Sequence, residues 1–118
     1  EPDVTASGGH GQLAYLTFEV VDSARARAFF GSVFGWRFTR GGVPDGWQIE
    51  GLHPMGGMHG GDSEAAVVPM YAVDDVEAAV TRVRTAGGTA SDPERQPYGT
   101  TSSCTDDQGT RFYLGELG

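Results

Sequence analysis

Apolar residues recur along this chain in two rhythms. In 13–20, Leu16, Phe18 and Val20 alternate with Tyr15, Thr17 and Glu19, the two-residue period of a strand with distinct faces. After Asp22 the apolar positions become Ala26, Phe29, Phe30, Val33 and Phe34, the spacing of a helix with one apolar face. Asp22 suits an N-cap and Gly35 a stop. The pattern then returns. In 67–73, Pro69, Tyr71 and Val73 alternate with Val68, Met70 and Ala72, and Val76, Ala79, Val80, Val83 and Ala86 mark a second helix. Asp74 with Glu77 three residues on predicts a capping box, and Gly87-Gly88 ends that helix. Short strands are expected near 36–40, 46–51 and 55–59, then near 88–91, 99–105 and 110–116. Gly41-Gly42, Gly60-Gly61 and Asp107-Gln108-Gly109 supply turns between them.

The two halves match at an offset of 53 residues, with no gap between 15–60 and 68–113. Val20 falls on Val73, Asp22 on Asp75, Ala26 on Ala79 and Gly35 on Gly88. Because predicted elements coincide as well as residues, the match is a structural repeat. The expected fold is α+β: two βαβββ repeats, about 12–61 and 66–117, forming a curved, mostly antiparallel sheet with helices on its outer face. Residues 12–117 form one domain, and the polar, Gly-rich 1–11 a flexible tail. In each first strand the wholly apolar set should meet the helix. The other set, with Tyr15 and Met70, is left uncovered, which predicts a homodimer.

Composition narrows the partners. The 118 residues suit one domain. Sixteen acids against eight Arg, with no Lys, give a net charge of −8. That argues against nucleic acid and anionic lipid and favours a cationic ligand. No apolar run approaches the roughly 18 residues of a membrane span. No signal peptide is visible, although the chain opens at Glu1 rather than at a methionine, and its one Cys makes no internal disulfide. The expectation is a soluble cytoplasmic protein.

The order and spacing of these elements resemble the vicinal oxygen chelate superfamily, which includes glyoxalase I, extradiol dioxygenases, fosfomycin-resistance enzymes and bleomycin-resistance proteins. The likeness rests on 18–22 (FEVVD), 28–30 running to 33–36 (VFGW), 73–76 (VDDV), 86–88 (AGG), and 106–109 (DDQG) running into 112–114 (FYL). It covers nearly all of 12–117. In metal-dependent members a His or Gln often begins the first strand of each unit, and a Glu or His lies in the last. The matching positions here are Tyr15, Val68, Gly60 and Tyr113, none a usual transition-metal ligand. A one-residue slip would bring in only His59. The resemblance therefore points to the metal-free, bleomycin-resistance-like branch, with no cofactor.

The uncovered face gathers the candidate ligand-binding residues: Tyr15, Thr17, Glu19, Met58, Met70, Arg111 and Tyr113, with His59 at a strand end and Trp36 and Trp47 on neighbouring strands. Apolar walls with few polar anchors suit a ligand cleft; the same residues also suit a dimer interface or closed core. Glu19 and Arg111 are expected to face one another, as a structural ion pair or as a partly buried base or cation holder. Cys104, in a strand without a patterned His, reads as an inert buried thiol. No catalytic residue is assigned. Three readings compete. One is a metal-independent binder of an aromatic or cationic small molecule such as an antibiotic. A second is a metal-dependent lyase, epimerase or dioxygenase of the same fold. The third is an accessory dimer without its own ligand.

Overall fold

The computed structural model describes residues 9–117; most of the expected tail, residues 1–8, lies outside them. Residues pack into two compact units: 15–68, and 9–14 together with 69–117. Each is an α+β repeat with one helix on a mostly antiparallel sheet.

The first unit holds β1 (Leu13–Glu19), which is shared with the other unit at its start, then α1 (Ser23–Phe34), β2 (Phe38–Arg40), β3 (Gly46–Ile49) and β4 (Met55–His59). Its strands lie in the order β2-β3-β4-β1, antiparallel except for β4 with β1. Asp22 caps α1 by accepting the Arg25 N–H at 3.1 Å. Gly35 closes it at φ 72°, where a side chain would be strained. Phe30 meets Phe18 edge-on at 5.9 Å, so the Leu16-Phe18-Val20 set of β1 faces α1 as expected. The helix itself differs from expectation. Only Ser23 is fully buried, and Phe29, Val33 and Phe34 are 60%, 53% and 59% exposed. The apolar stripe is wider than the sheet beneath it covers.

The second unit contains β5 (Ala66–Ala72) from Pro69 onward, α2 (Val76–Thr85), β6 (Thr89–Ala90), β7 (Glu94–Gln96), β8 (Gly99–Thr105) and β9 (Arg111–Leu117). The order is β5-β9-β8-β6, with β7 also on β8. Sequence periodicity missed β7, whose three residues are too few to show a period. The α2 cap is Asp75, not Asp74: the Asp75 carboxylate accepts the Ala78 N–H at 3.2 Å. The Asp74 N–H instead donates to His10 Nδ1 at 3.1 Å. The Gly11 N–H donates to the Ala72 carbonyl and the Ala72 N–H to the Gln12 carbonyl, fixing residues 11–12 beside β5. Val76, Ala79 and Val80 of α2 pack with Cys104 and Leu114 into a buried core, flanked by Val73, Val83, Ala90 and Phe112.

Candidate functional site

Strand register decides which side chains share the face that each helix leaves uncovered. In the first unit Thr17 pairs with Gly57 and Glu19 with His59 across β1 and β4, and Gln48 pairs with Gly57 across β3 and β4. Alternation adds Tyr15. Tyr15, Thr17, Glu19, Gln48 and His59 therefore lie on the face opposite Phe18. Gly57 is its floor: a Cβ there would run into the Tyr15 hydroxyl. Gln48 holds the floor by donating from Nε2 to the Gly56 carbonyl at 3.0 Å.

Three expected members lie on the other face. Met58 pairs with Phe18 and with Trp47 and is 2% exposed, so it belongs to the helix-covered side. Trp47 accompanies it, with the Arg27 guanidinium of α1 3.7 Å from its ring centre. Trp36 stacks on Phe30 at 5.1 Å and meets Phe18 edge-on at 5.7 Å. The misplacement has a plain cause. Gly56 and Gly57 carry no side chains, so β4 offers too few positions to fix its phase.

Glu19 is 8% exposed. A carboxylate taken that far from water is costly unless its surroundings compensate it, which makes it the most chemically loaded position on this face. Beside it, His59 Nδ1 lies 2.8 Å from Asp62 Oδ2, and both side chains are partly buried. That Asp62 oxygen is buried without a hydrogen-bond partner, so it approaches His59 closely without a well-formed hydrogen bond. Periodicity missed Asp62. The signal for it was the three-residue spacing from His59 across Gly60-Gly61, with Gly61 at φ 86°.

The helix-covered side has its own polar knot. Asp45, at φ 52°, accepts from Ser23 Oγ at 2.5 Å and from Trp47 Nε1 at 3.1 Å. Those bonds, chiefly the one from Ser23, hold its carboxyl below the ordinary value of 3.8, with Arg27 and Arg40 adding to the effect. A Cβ at Gly60 would meet the Asp45 carboxylate, which would have to move aside.

In the second unit Met70 pairs with Tyr113 across β5 and β9, while Tyr71 pairs with Leu114. Leu114 packs in the α2 core and Tyr71 meets Phe112 at 5.9 Å. Met70, Arg111 and Tyr113 thus lie on the uncovered face, as expected. Met70 Sδ occupies the space a side chain at Gly115 would fill. Thr101, Ser103 and Thr105 of β8 share that face through their partners Gly115, Tyr113 and Arg111. Cys104 faces the α2 core; burial pushes its thiol pKa up, opposed by the Ser102 hydrogen bond.

The residues do not fit a transition metal. Tyr15, Val68, Gly60 and Tyr113 occupy the positions that the resemblance assigns to chelation; Val68 is aliphatic and 2% exposed, and Gly60 has no side chain. Among the described residues no group of three or more His, Cys, Asp or Glu side chains is placed to hold a metal ion. No described helix is long and apolar enough to cross a membrane.

The fold has many solved relatives. Methylmalonyl-CoA epimerase from Mycobacterium tuberculosis superimposes with a TM-score of 0.67 at 15% identity, covering 99% of this chain and 93% of that one. Methylmalonyl-CoA epimerase from Streptomyces coelicolor, in complex with 2-nitronate-propionyl-CoA, gives 0.64 at 11% identity, covering 93% and 96%. The 2,2',3-trihydroxybiphenyl 1,2-dioxygenase of Sphingomonas wittichii gives 0.69 at 15%; 93% of this chain matches 42% of that longer one. Identities this low carry the fold alone. No curated protein matches the chain in sequence. The sequence model of one family does match, over residues 12–114, which take in both helices and every described strand up to the first part of β9. The chain therefore belongs to the Glyoxalase/Bleomycin resistance protein/Dioxygenase superfamily.

Proposed function

We propose that this protein is a metal-independent binder of an aromatic or cationic small molecule, antibiotic-like in size and charge, working as a cytoplasmic homodimer. One observation carries the reading: Glu19 is buried to 8% exposure on a face that neither described helix covers, next to His59 and over a glycine floor. A carboxylate in low-dielectric surroundings attracts a cation more strongly than one in open water. Tyr15, on the same face, offers an aromatic surface for a planar body. The net charge of −8 favours a cation at longer range. The four chelating positions hold no transition-metal ligand set, and binding needs none.

Isothermal titration against a panel of planar cations, such as acridine dyes, tests this. Glu19→Gln is expected to weaken the best cation about tenfold or more, near 1.4 kcal/mol, while leaving a neutral isostere of the same shape unchanged. Equal loss for both, or no binding by any member of the panel, overturns the reading.

A second reading has its own support. The 2.8 Å approach of Asp62 to His59 Nδ1 places an imidazole beside a carboxylate, which is equipment for moving a proton without a metal. The fold neighbours include epimerases acting on acyl-CoA thioesters by name. Deuterium uptake from heavy water at the acidic C–H of methylmalonyl-CoA, abolished by His59→Ala, is what this enzyme reading requires.

A further inference from the structure

Helix α1 carries an apolar surface that no described residue covers. Phe29, Val33 and Phe34 are 60%, 53% and 59% exposed, and Val21 and Val67 of the same unit are 60% and 54% exposed. The rings run together: Phe29 to Phe30 is 5.3 Å and Phe30 to Phe34 is 6.1 Å. A groove of about 290 Å³ lies beside them, with Phe18, Val20, Phe30, Ala65 and Val67 in its walls. Single exposed apolar residues are ordinary on any protein, but a connected patch of aromatic rings marks a contact surface.

Charge says what can cover it. Two copies of a chain with net charge −8 repel unless they meet where acids are fewest. Residues 15–68 hold six acids and four Arg, a net of −2, which leaves −6 for the rest of the chain. Within α1 itself there are Arg25 and Arg27 and no acid. The ends of the helix are complementary to each other. Asp22 sits at its start and Arg37 just beyond Gly35 at its end, both exposed. Place a twofold axis between Phe29 and Phe30, with the two helices antiparallel. Ala26 of one copy then lies level with Val33 of the other, and Asp22 level with Arg37. An isologous contact demands this kind of self-complementary surface: apolar in the centre, with an ion pair at each end.

We infer that α1 is the contact between two copies of this chain, the helices packing antiparallel about an axis beside Phe29. The inference rests on the homodimer reading above and adds its surface and its geometry. Sedimentation velocity at micromolar protein tests it with three variants. Phe29→Glu is expected to raise the dimer dissociation constant about tenfold or more, with circular dichroism unchanged because the side chain is exposed. Phe29→Cys is expected to give a disulfide-linked dimer under mild oxidation, while Ala24→Cys, turned about 140° around the helix, is expected not to. The native Cys104 is buried and stays out of this reaction. A dimer that persists in Phe29→Glu, or Ala24→Cys cross-linking as readily as Phe29→Cys, overturns the α1 contact and leaves the homodimer standing. A wild-type chain that sediments only as a monomer overturns both. Should Phe29→Glu lose its fold, the two cysteine variants decide alone.

Discussion

Leu114 is 5% exposed within the α2 core, and Phe29 is 60% exposed on α1. The larger side chain therefore contributes less to the stability of a single chain. Leu114→Ala is expected to destabilise by about 2–5 kcal/mol, the range for a large core truncation that leaves a cavity. Phe29→Ala should stay within about 0.5 kcal/mol in the dissociated chain. Urea unfolding at a concentration low enough to separate copies compares the two; equal losses would mean that α1 is buried within one chain. Helical periodicity marks Phe29 as core, since it reports which residues share a face and not how far the sheet beneath extends. The same limit explains the candidate site. Tyr15, Thr17 and Glu19 were legible because β1 alternates regularly along its length. Met58, Trp47 and Trp36 were not. The phase of β4 is hidden by Gly56-Gly57, Trp47 stands in a four-residue strand, and Trp36 lies just outside any strand. His59 and Asp62 come together through a turn, and turns leave no periodic trace.

Both helices use the same start, an Asp in extended conformation accepting an N–H three residues on. This repeat was readable, apart from the choice between Asp74 and Asp75, because only the cap geometry separates two adjacent carboxylates. Beyond their caps the helices diverge. Three α2 residues, Val76, Ala79 and Val80, are buried, against Ser23 alone in α1. Removing either cap side chain should cost about 1 kcal/mol, and Asn in its place only a little. The consequences differ in extent. Loss of the Asp75 carboxylate by Asp75→Ala weakens a helix fused to the core, so global stability should fall. Asp22→Ala weakens a helix with few buried anchors, so α1 should open locally first. Hydrogen exchange is the measurement: faster exchange confined to 23–34 in Asp22→Ala, and spread over α2, β8 and β9 in Asp75→Ala. Uniform acceleration in both would mean that α1 is as firmly anchored as α2.

At the scale of the molecule, net charge and two anchored carboxylates set opposite pH trends. The charge of −8 repels itself at neutral pH, so added salt should stabilise the fold there by screening. Asp45 and Asp106 pull the other way. Asp106 accepts N–H bonds from Thr110 and Gln108 across the turn before β9, with Thr110 the larger influence, and its carboxyl is held below 3.8. Asp45 is held down chiefly by Ser23. A carboxyl whose folded value lies below its unfolded one binds its proton less readily when folded. Its contribution is therefore fully present above the ordinary value of 3.8 and is lost as pH falls through the lower folded value. Asp45→Asn isolates this, because Asn tolerates the positive φ that Asp45 adopts. The variant should unfold at lower urea than the wild type at pH 7, and the gap should close in acid, below the ordinary carboxyl range. A gap that stays constant down to that range would mean that the Ser23 and Trp47 bonds act through shape, with the carboxylate charge contributing nothing.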